Sequence, residues 1–219
     1  MRLFNIHTHK ASPLSNDGYD VLSIVNTYPS NFGEIRNSYP DSYYSCGIHP
    51  WYSENGEEQF SLLEQIVQDD KVLAIGEAGL DKLQGPGLDV QMRVFRKHIE
   101  LAELYEKPLI IHCVKAWDEL IALHKEAKSS VPWIIHGYRG NIQQTRSLSL
   151  LGFSFSIGEK YNADAIRTIP RGSLFCETDM SEVSILDVYK NIANDLQIDM
   201  DELVESVNVN INKSFCKCL

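Results

Sequence analysis

Residues 71–113 read KVLAIGEAGLDKLQGPGLDVQMRVFRKHIELAELYEKPLIIHC. The runs Val72–Ile75 and Leu109–Ile111 are short, continuous and apolar, as in a strand buried on both faces. Between them, Asp89–Tyr105 carries Met92, Phe95, Ile99 and Ala102 at helical spacing. Charged Arg93, Arg96, Lys97, Glu100 and Glu103 fill the positions between. Pro108 follows where the helix must already have ended. Strand, amphipathic helix and strand in this order predict a parallel βαβ unit.

The alternation continues in both directions. Leu3–Ile6, Val21–Asn26 and Tyr43–Cys46 precede this stretch, and Trp133–Ile135, Phe153–Ser156 and Leu174–Cys176 follow it. Helical patterns cover Glu57–Gln68, Trp117–Lys128, Asn141–Leu151, Val183–Leu196 and Met200–Phe215. Eight strands alternating with helices predict an α/β fold, a (β/α)8 TIM-like barrel. Two connections are thin. Residues 8–20 carry no helical pattern and read as a loop, and Pro29 and Pro40 bracket room for a short helix only. The barrel is therefore expected to be trimmed in its first helices. With no linker or repeat to divide them, residues 1–219 are expected to form a single domain.

The chain is 43% hydrophobic, enough for a full core, and its 30 acidic against 20 basic residues give a net charge of -10. Such a surface does not gather nucleic acid by general attraction, so a nucleic-acid substrate would need local positive charge from side chains or bound cations. No apolar run has the length of a membrane span, and MRLFNIHTHK lacks the pattern of a signal peptide. Five cysteines form no secreted disulfide framework, so a reducing cytoplasm is the expected compartment. Cys216 and Cys218 could form a soft-metal pair or an ordinary tail. No partner helix or coiled-coil seam stands out.

The chemistry gathers at strand ends. His7, His9, His49, His112 and His136 each fall at or just past the end of a predicted strand, as do Glu77 and Asp179. In a (β/α)8 barrel those ends converge on the rim that carries active sites. His7 and His9 share one side of an extended strand, since side chains alternate with period two. Each residue also has an ordinary reading: a solvated His pair, a loop acid, a core histidine, or a helix cap at Asp179. Packing alone does not ask for all of them at strand ends, and together they point to a metal site.

The segments NIHTH (5–9), GIHP (47–50), GEAGLD (76–81), PLIIHC (108–113), HGYRG (136–140), ETD (177–179) and the closing NVNINKSF (208–215) resemble the TatD family of metal-dependent deoxyribonucleases, in order along the whole chain. The resemblance implies an amidohydrolase-type barrel with two divalent ions. His7, His9, Glu77 and Asp179 would hold one ion, and Glu77, His112 and His136 the other. It further implies Asp179 and Glu77 as catalytic residues, with Asp179 taking a proton from the attacking water and Glu77 fixing the metal separation. His49 matches a position near the substrate. DNA, single-stranded or at strand ends, is the implied substrate. Four imidazoles and two carboxylates suit zinc, manganese or cobalt, whereas the family is described as magnesium-dependent, so the ion stays open among these.

Three departures touch substrate contacts and leave the ligands intact. Val114 stands where the family has Arg, with Lys115 beside it. Met180-Ser181-Glu182 replaces a small residue, Pro and a large apolar residue. His136-Gly137-Tyr138-Arg139-Gly140 replaces His-Cys-Phe-Ser-Gly. Lys115 and Arg139 are the expected phosphate-facing cations, with solvated surface roles as the alternative. A different ester, amide or small phosphoester, a three-metal phosphoesterase, or a non-catalytic barrel used as a binding module are the rival readings.

Overall fold

The computed structural model describes residues 1–12 and 15–215; the Cys216/Cys218 pair lies outside the described residues. Among the described residues the chain forms two compact units, one from Met1–Val25 with residues 134–215, the other from Asn26–Trp133.

In the first unit, β1 (Arg2–Thr8) pairs in parallel with β3 (Tyr19–Thr27), from Arg2 opposite Asp20 to Thr8 opposite Val25. The expected loop over 8–20 contains a two-residue strand, β2 (Ser15–Asn16), folded back antiparallel on β3. Three short strands, β7 (Trp133–Ile135), β8 (Ser154–Ile157) and β9 (Leu174–Cys176), form a parallel row. A parallel bridge from Thr8 to Asp179 ties the end of β1 to the segment that leaves β9. The helices are α5 (Ile142–Leu150), a four-residue α6 (Ala163–Ile166), α7 (Ile185–Leu196) and α8 (Met200–Phe215). Sequence patterning missed α6, which is too short to show a period. Tyr189 of α7 is fully buried; its hydroxyl donates to the Phe4 carbonyl (3.1 Å) and accepts the Phe4 N–H (3.2 Å), which fixes β1 against the helix.

The second unit is built on β4 (Tyr43–Cys46), β5 (Val72–Asp81) and β6 (Leu109–Val114), parallel and in that order. Its helices are α1 (Phe32–Ser38), α2 (Gly56–Ile66), α3 (Leu88–Tyr105) and α4 (Trp117–Ala127), with a 3-10 turn over Pro50–Asn55. Helix α3 buries Gln91, Val94, Phe95, His98, Ile99, Leu101 and Ala102; of the face its spacing predicts, Phe95, Ile99 and Ala102 are buried and Met92 is half-buried. It ends at Glu106 in a left-handed conformation (φ +53°), two residues before Pro108.

Strands β5 and β6 run well past their apolar cores. All ten residues of β5 are buried, through Glu77 to Asp81, and β6 continues through His112. The polar residues that ended the predicted strands are therefore inside them, still within hydrogen-bonding register: Gly79 lies opposite His112. No helix among the described residues is long and apolar enough to cross a membrane.

Candidate metal centre

In the first unit, the site begins with Asn5. Fully buried, its amide donates to the Thr178 hydroxyl (2.8 Å) and its carbonyl accepts the Thr178 N–H (3.0 Å). The Thr178 hydroxyl reaches that of Thr8 (3.0 Å), and the backbones exchange Asp179 N–H to His7 O (3.0 Å) and His9 N–H to Asp179 O (3.2 Å). These contacts deliver Asp179 to the HxH pair. Its Oδ1 lies 3.6 Å from Nε2 of His7 and 3.5 Å from Nε2 of His9. The helix-cap reading of Asp179 fails, because Ser184 caps α7 by accepting the Asp187 N–H.

His136, which follows β7, stacks on His7 with ring centroids 4.4 Å apart. Its Nδ1 lies 3.4 Å from Oε1 of Glu177, which also accepts the Gly137 N–H (2.7 Å). Glu177 is fully buried. This carboxylate orients His136 so that Nδ1 carries the hydrogen and Nε2 is left as the donor atom. The sequence reading gave Glu177 no role, although an acid directly after the apolar Leu174–Cys176 run was a usable signal.

In the second unit, Glu77 is held by its N–H donating to Asn26 Oδ1 (2.9 Å), and its carboxylate Oε1 lies 2.9 Å from Nδ1 of His112 and 3.1 Å from Nε2 of His49. The close approach of β5 to β6 explains two glycines of GEAGLD. A Cβ at Gly76 (φ +140°) would meet Ile110 O at 2.4 Å, and one at Gly79 (φ +149°) would meet His112 O at 2.0 Å. Behind His112, its Nε2 lies 3.2 Å from Asp81 Oδ2, which also accepts the Trp51 indole N–H (2.7 Å). Burial acts to raise the Asp81 carboxyl, but donation from Trp51, Leu83 and His112 outweighs it and holds the group below its usual range. An ionised Asp81 assigns the hydrogen of His112 to Nε2, leaving the Nδ1 lone pair facing a carboxylate oxygen at 2.9 Å. In that tautomer Nδ1 and the Glu77 carboxylate are adjacent electron-pair donors, a set that fits a divalent cation.

His49 differs. Its Nδ1 accepts the Trp51 backbone N–H (3.2 Å), so Nε2 carries the hydrogen and donates toward Glu77. That tautomer makes His49 a hydrogen-bond donor beside the ligands rather than one of them. Lys115 is exposed just after β6 on a left-handed backbone (φ +57°), and Arg139 is exposed on the turn after His136. Sequence reasoning also left Asp81, Trp51, Asn5 and Thr178 without individual roles.

Within each unit, nitrogen and oxygen atoms of three such side chains lie within 4.8 Å of one another: His7, His9 and Asp179 in the first, and Glu77 and His112 with the neighbouring His49 in the second. Imidazole and carboxylate donors at the ends of parallel strands define a metal-dependent hydrolase of the barrel type. Comparison with known proteins makes this specific. The pattern described as "TatD related DNase" matches residues 20–216. The chain belongs to the TatD-related DNase family.

An uncharacterised metal-dependent hydrolase of Escherichia coli, YjjV, is 26% identical over 77% of this chain and 70% of its own length. A putative deoxyribonuclease, the TATDN1 homologue of Enterocytozoon bieneusi, is 27% identical over 78% of this chain and 75% of its own. Among the curated relatives, the aligned part spans from 60% to 83% of their length. The crystal structure of the Escherichia coli TatD homologue YJJV superposes with a TM-score of 0.82 at 22% identity, covering 98% of each chain. That likeness shows the fold to be the expected TIM-type barrel, with eight parallel strands and helices between.

Proposed function

We propose that this chain, with residues 1–219 as one catalytic domain, is a deoxyribonuclease that hydrolyses DNA phosphodiester bonds with two divalent ions. The observation that carries this reading is the set of imidazole and carboxylate groups gathered within each unit, above all Glu77 Oε1 at 2.9 Å from Nδ1 of His112. His7, His9 and Asp179 would hold one ion, and Glu77 and His112 the other. Sharing of Glu77 between the ions and ligation by His136 complete the proposal, following the family resemblance. Of the candidate ions, zinc, manganese and cobalt match the imidazole-rich donor set. Use of DNA, single-stranded or at strand ends, is supported by family membership and by the name of the Enterocytozoon relative.

When bound, the ions supply acidification of water at neutral pH and polarisation of the phosphoryl group. The chain supplies the rest. Asp179, part-exposed and next to His7 and His9, takes the proton of the attacking water and returns it to the leaving oxygen. His49 offers Nε2–H as a donor next to Glu77, where it can meet a substrate oxygen. Asp81 and Glu177 keep His112 and His136 in the tautomers that ligation requires.

The test is digestion of end-labelled single- and double-stranded DNA by purified protein, with and without chelator, beside generic ester and small phosphoester substrates. Metal-dependent cleavage of DNA in preference to the small substrates is expected. Turnover of the small esters alone would replace the nuclease reading with hydrolysis of another bond.

A further inference from the structure

Several basic side chains of this acidic chain are paired with a carboxylate, as in Lys10–Glu182 (2.5 Å), Arg36–Asp69 (2.7 Å) and Lys82–Glu119 (2.7 Å). A cleft of about 240 Å³ in the first unit is lined differently. Arg139 and Lys160 both line it, and so do Glu159, Glu177 and Asp179. Among the described residues neither cation forms an ion pair or hydrogen bond, although three carboxylates share the cleft. Those carboxylates are engaged elsewhere: Glu159 accepts the Ser181 hydroxyl (2.7 Å), Glu177 serves Gly137 and His136, and Asp179 faces the HxH pair.

The two cations stand on well-held backbone. Arg139 follows Tyr138, whose buried ring is pinned by Thr145 (3.0 Å) and whose N–H donates to Ser156 O (3.1 Å). Lys160 comes three residues after β8, at the same C-terminal strand end that places the catalytic groups. Arg139 and Lys160, held in no ion pair among the described residues and lining the same cleft as Asp179, are the groups there suited to a second anion next to the reacting one.

We propose that Arg139 and Lys160 form a subsite for the backbone phosphate adjacent to the scissile one. The preferred substrate is then a strand with at least one further phosphate, rather than an isolated diester or a phosphomonoester. This rests on the reading of the chain as a phosphodiester hydrolase with Asp179 at the reacting phosphate.

The test has a binding arm and a kinetic arm, both on the metal-loaded full chain. Fluorescence anisotropy of labelled octathymidylate is measured in an Asp179→Asn background, so that the strand is not consumed. R139A/K160A should weaken binding at least about tenfold at low salt and flatten the log Kd against log salt slope by about 0.7, for one phosphate no longer neutralised on a single strand. K125A/K128A removes the same charge from exposed positions that do not line the cleft and should change Kd less than about threefold. The charge-keeping R139K/K160R should bind like the parent, which guards against a folding artefact. In the kinetic arm, with Asp179 intact, R139A/K160A should lower the ratio of kcat/KM for octathymidylate to that for bis(p-nitrophenyl) phosphate by about tenfold.

Equal weakening by both alanine pairs, unchanged binding, or failure of the parent to bind the strand each overturns the subsite. The two readings fail separately. Binding that depends on Arg139 and Lys160 without hydrolysis of either substrate upholds the subsite and removes the hydrolase reading. Cleavage of both substrates with an unmoved ratio and unmoved binding does the reverse.

Discussion

Around Glu77 the donors have partners behind them, whereas Asp179 faces its two imidazoles with 34% of its side chain open to solvent. His112 is clasped between Glu77 (2.9 Å) and Asp81 (3.2 Å), and Asp81 is fixed in turn by Trp51, Leu83 and Gln84. The corresponding separations at Asp179 are 3.5 and 3.6 Å, on a residue whose backbone is left-handed (φ +53°). A buried, backed carboxylate loses little on binding a cation, because its geometry is already set. A part-open carboxylate can exchange a proton with water. Under the proposed mechanism the second unit holds its ion and the first carries the reacting carboxylate.

The largest effect that would sharpen this contrast is expected at Asp179. Asp179→Asn keeps the shape and one acceptor oxygen but removes the base, and should lower kcat on DNA by about 10³-fold or more while thermal unfolding stays near that of the parent. Near-normal turnover would break the assignment of the reacting role to the first unit. Glu77→Ala comes next. It removes the acceptor opposite His112, and elemental analysis should find fewer than two ions per chain. Two ions retained after dialysis would show that Glu77 is not the holding residue.

The apolar runs made the strands legible, and their order made the barrel legible, because continuous Val/Ile/Leu segments between amphipathic helices leave few alternatives. The candidate ligands were legible for a different reason: His and carboxylates at successive strand ends are unusual in a core. What stayed hidden was the layer behind them. Asp81 and Glu177 sit in motifs already noted, but only the coordinates show that one backs His112 and the other His136. Strand ends were placed early for β5 and β6, since polar residues inside a buried strand look like its terminus until their partners are known. The fifty-residue separation of His98 from Ile48 left no local pattern from which to read that contact.

The backing layer predicts a graded pair of effects. Asp81→Asn turns an amide NH2 against either the His112 and Trp51 donors at Oδ2 or the Leu83 and Gln84 N–H groups at Oδ1, and should weaken metal binding by about 10- to 100-fold in a competitive chelator titration. Glu177→Gln keeps one acceptor for Gly137 and should fall at the lower end of that range or below it. A larger loss from Glu177→Gln than from Asp81→Asn would reverse the view that the second unit holds its donors more firmly.

The smallest expected effect concerns how the second unit keeps His49 in place. His98 of α3 is fully buried, packs edge-on to Phe60 with ring centroids 5.0 Å apart, donates from Nδ1 to Val94 O (2.8 Å) and accepts the Ile48 N–H at Nε2 (2.9 Å). Both nitrogens are committed with the ring neutral. Burial pushes the imidazole down from 6.5 to about 4, against a smaller opposing pull from its bond to the Val94 carbonyl. Between those values the unfolded chain binds a proton that the folded chain refuses, so stability contributed by His98 is complete above pH 6.5 and is lost as pH falls toward 4. Over that whole window the loss amounts to about 3 kcal/mol. Glutamine at 98 can still accept from Ile48 but does not titrate. His98→Gln should therefore be less stable than the parent at pH 7 by about 1 kcal/mol. Between pH 6.5 and pH 5, urea unfolding should show the variant losing about 2 kcal/mol less than the parent. Parallel pH profiles for the two proteins would mean that His98 takes up its proton without leaving Ile48, and that the segment carrying His49 is anchored by something else.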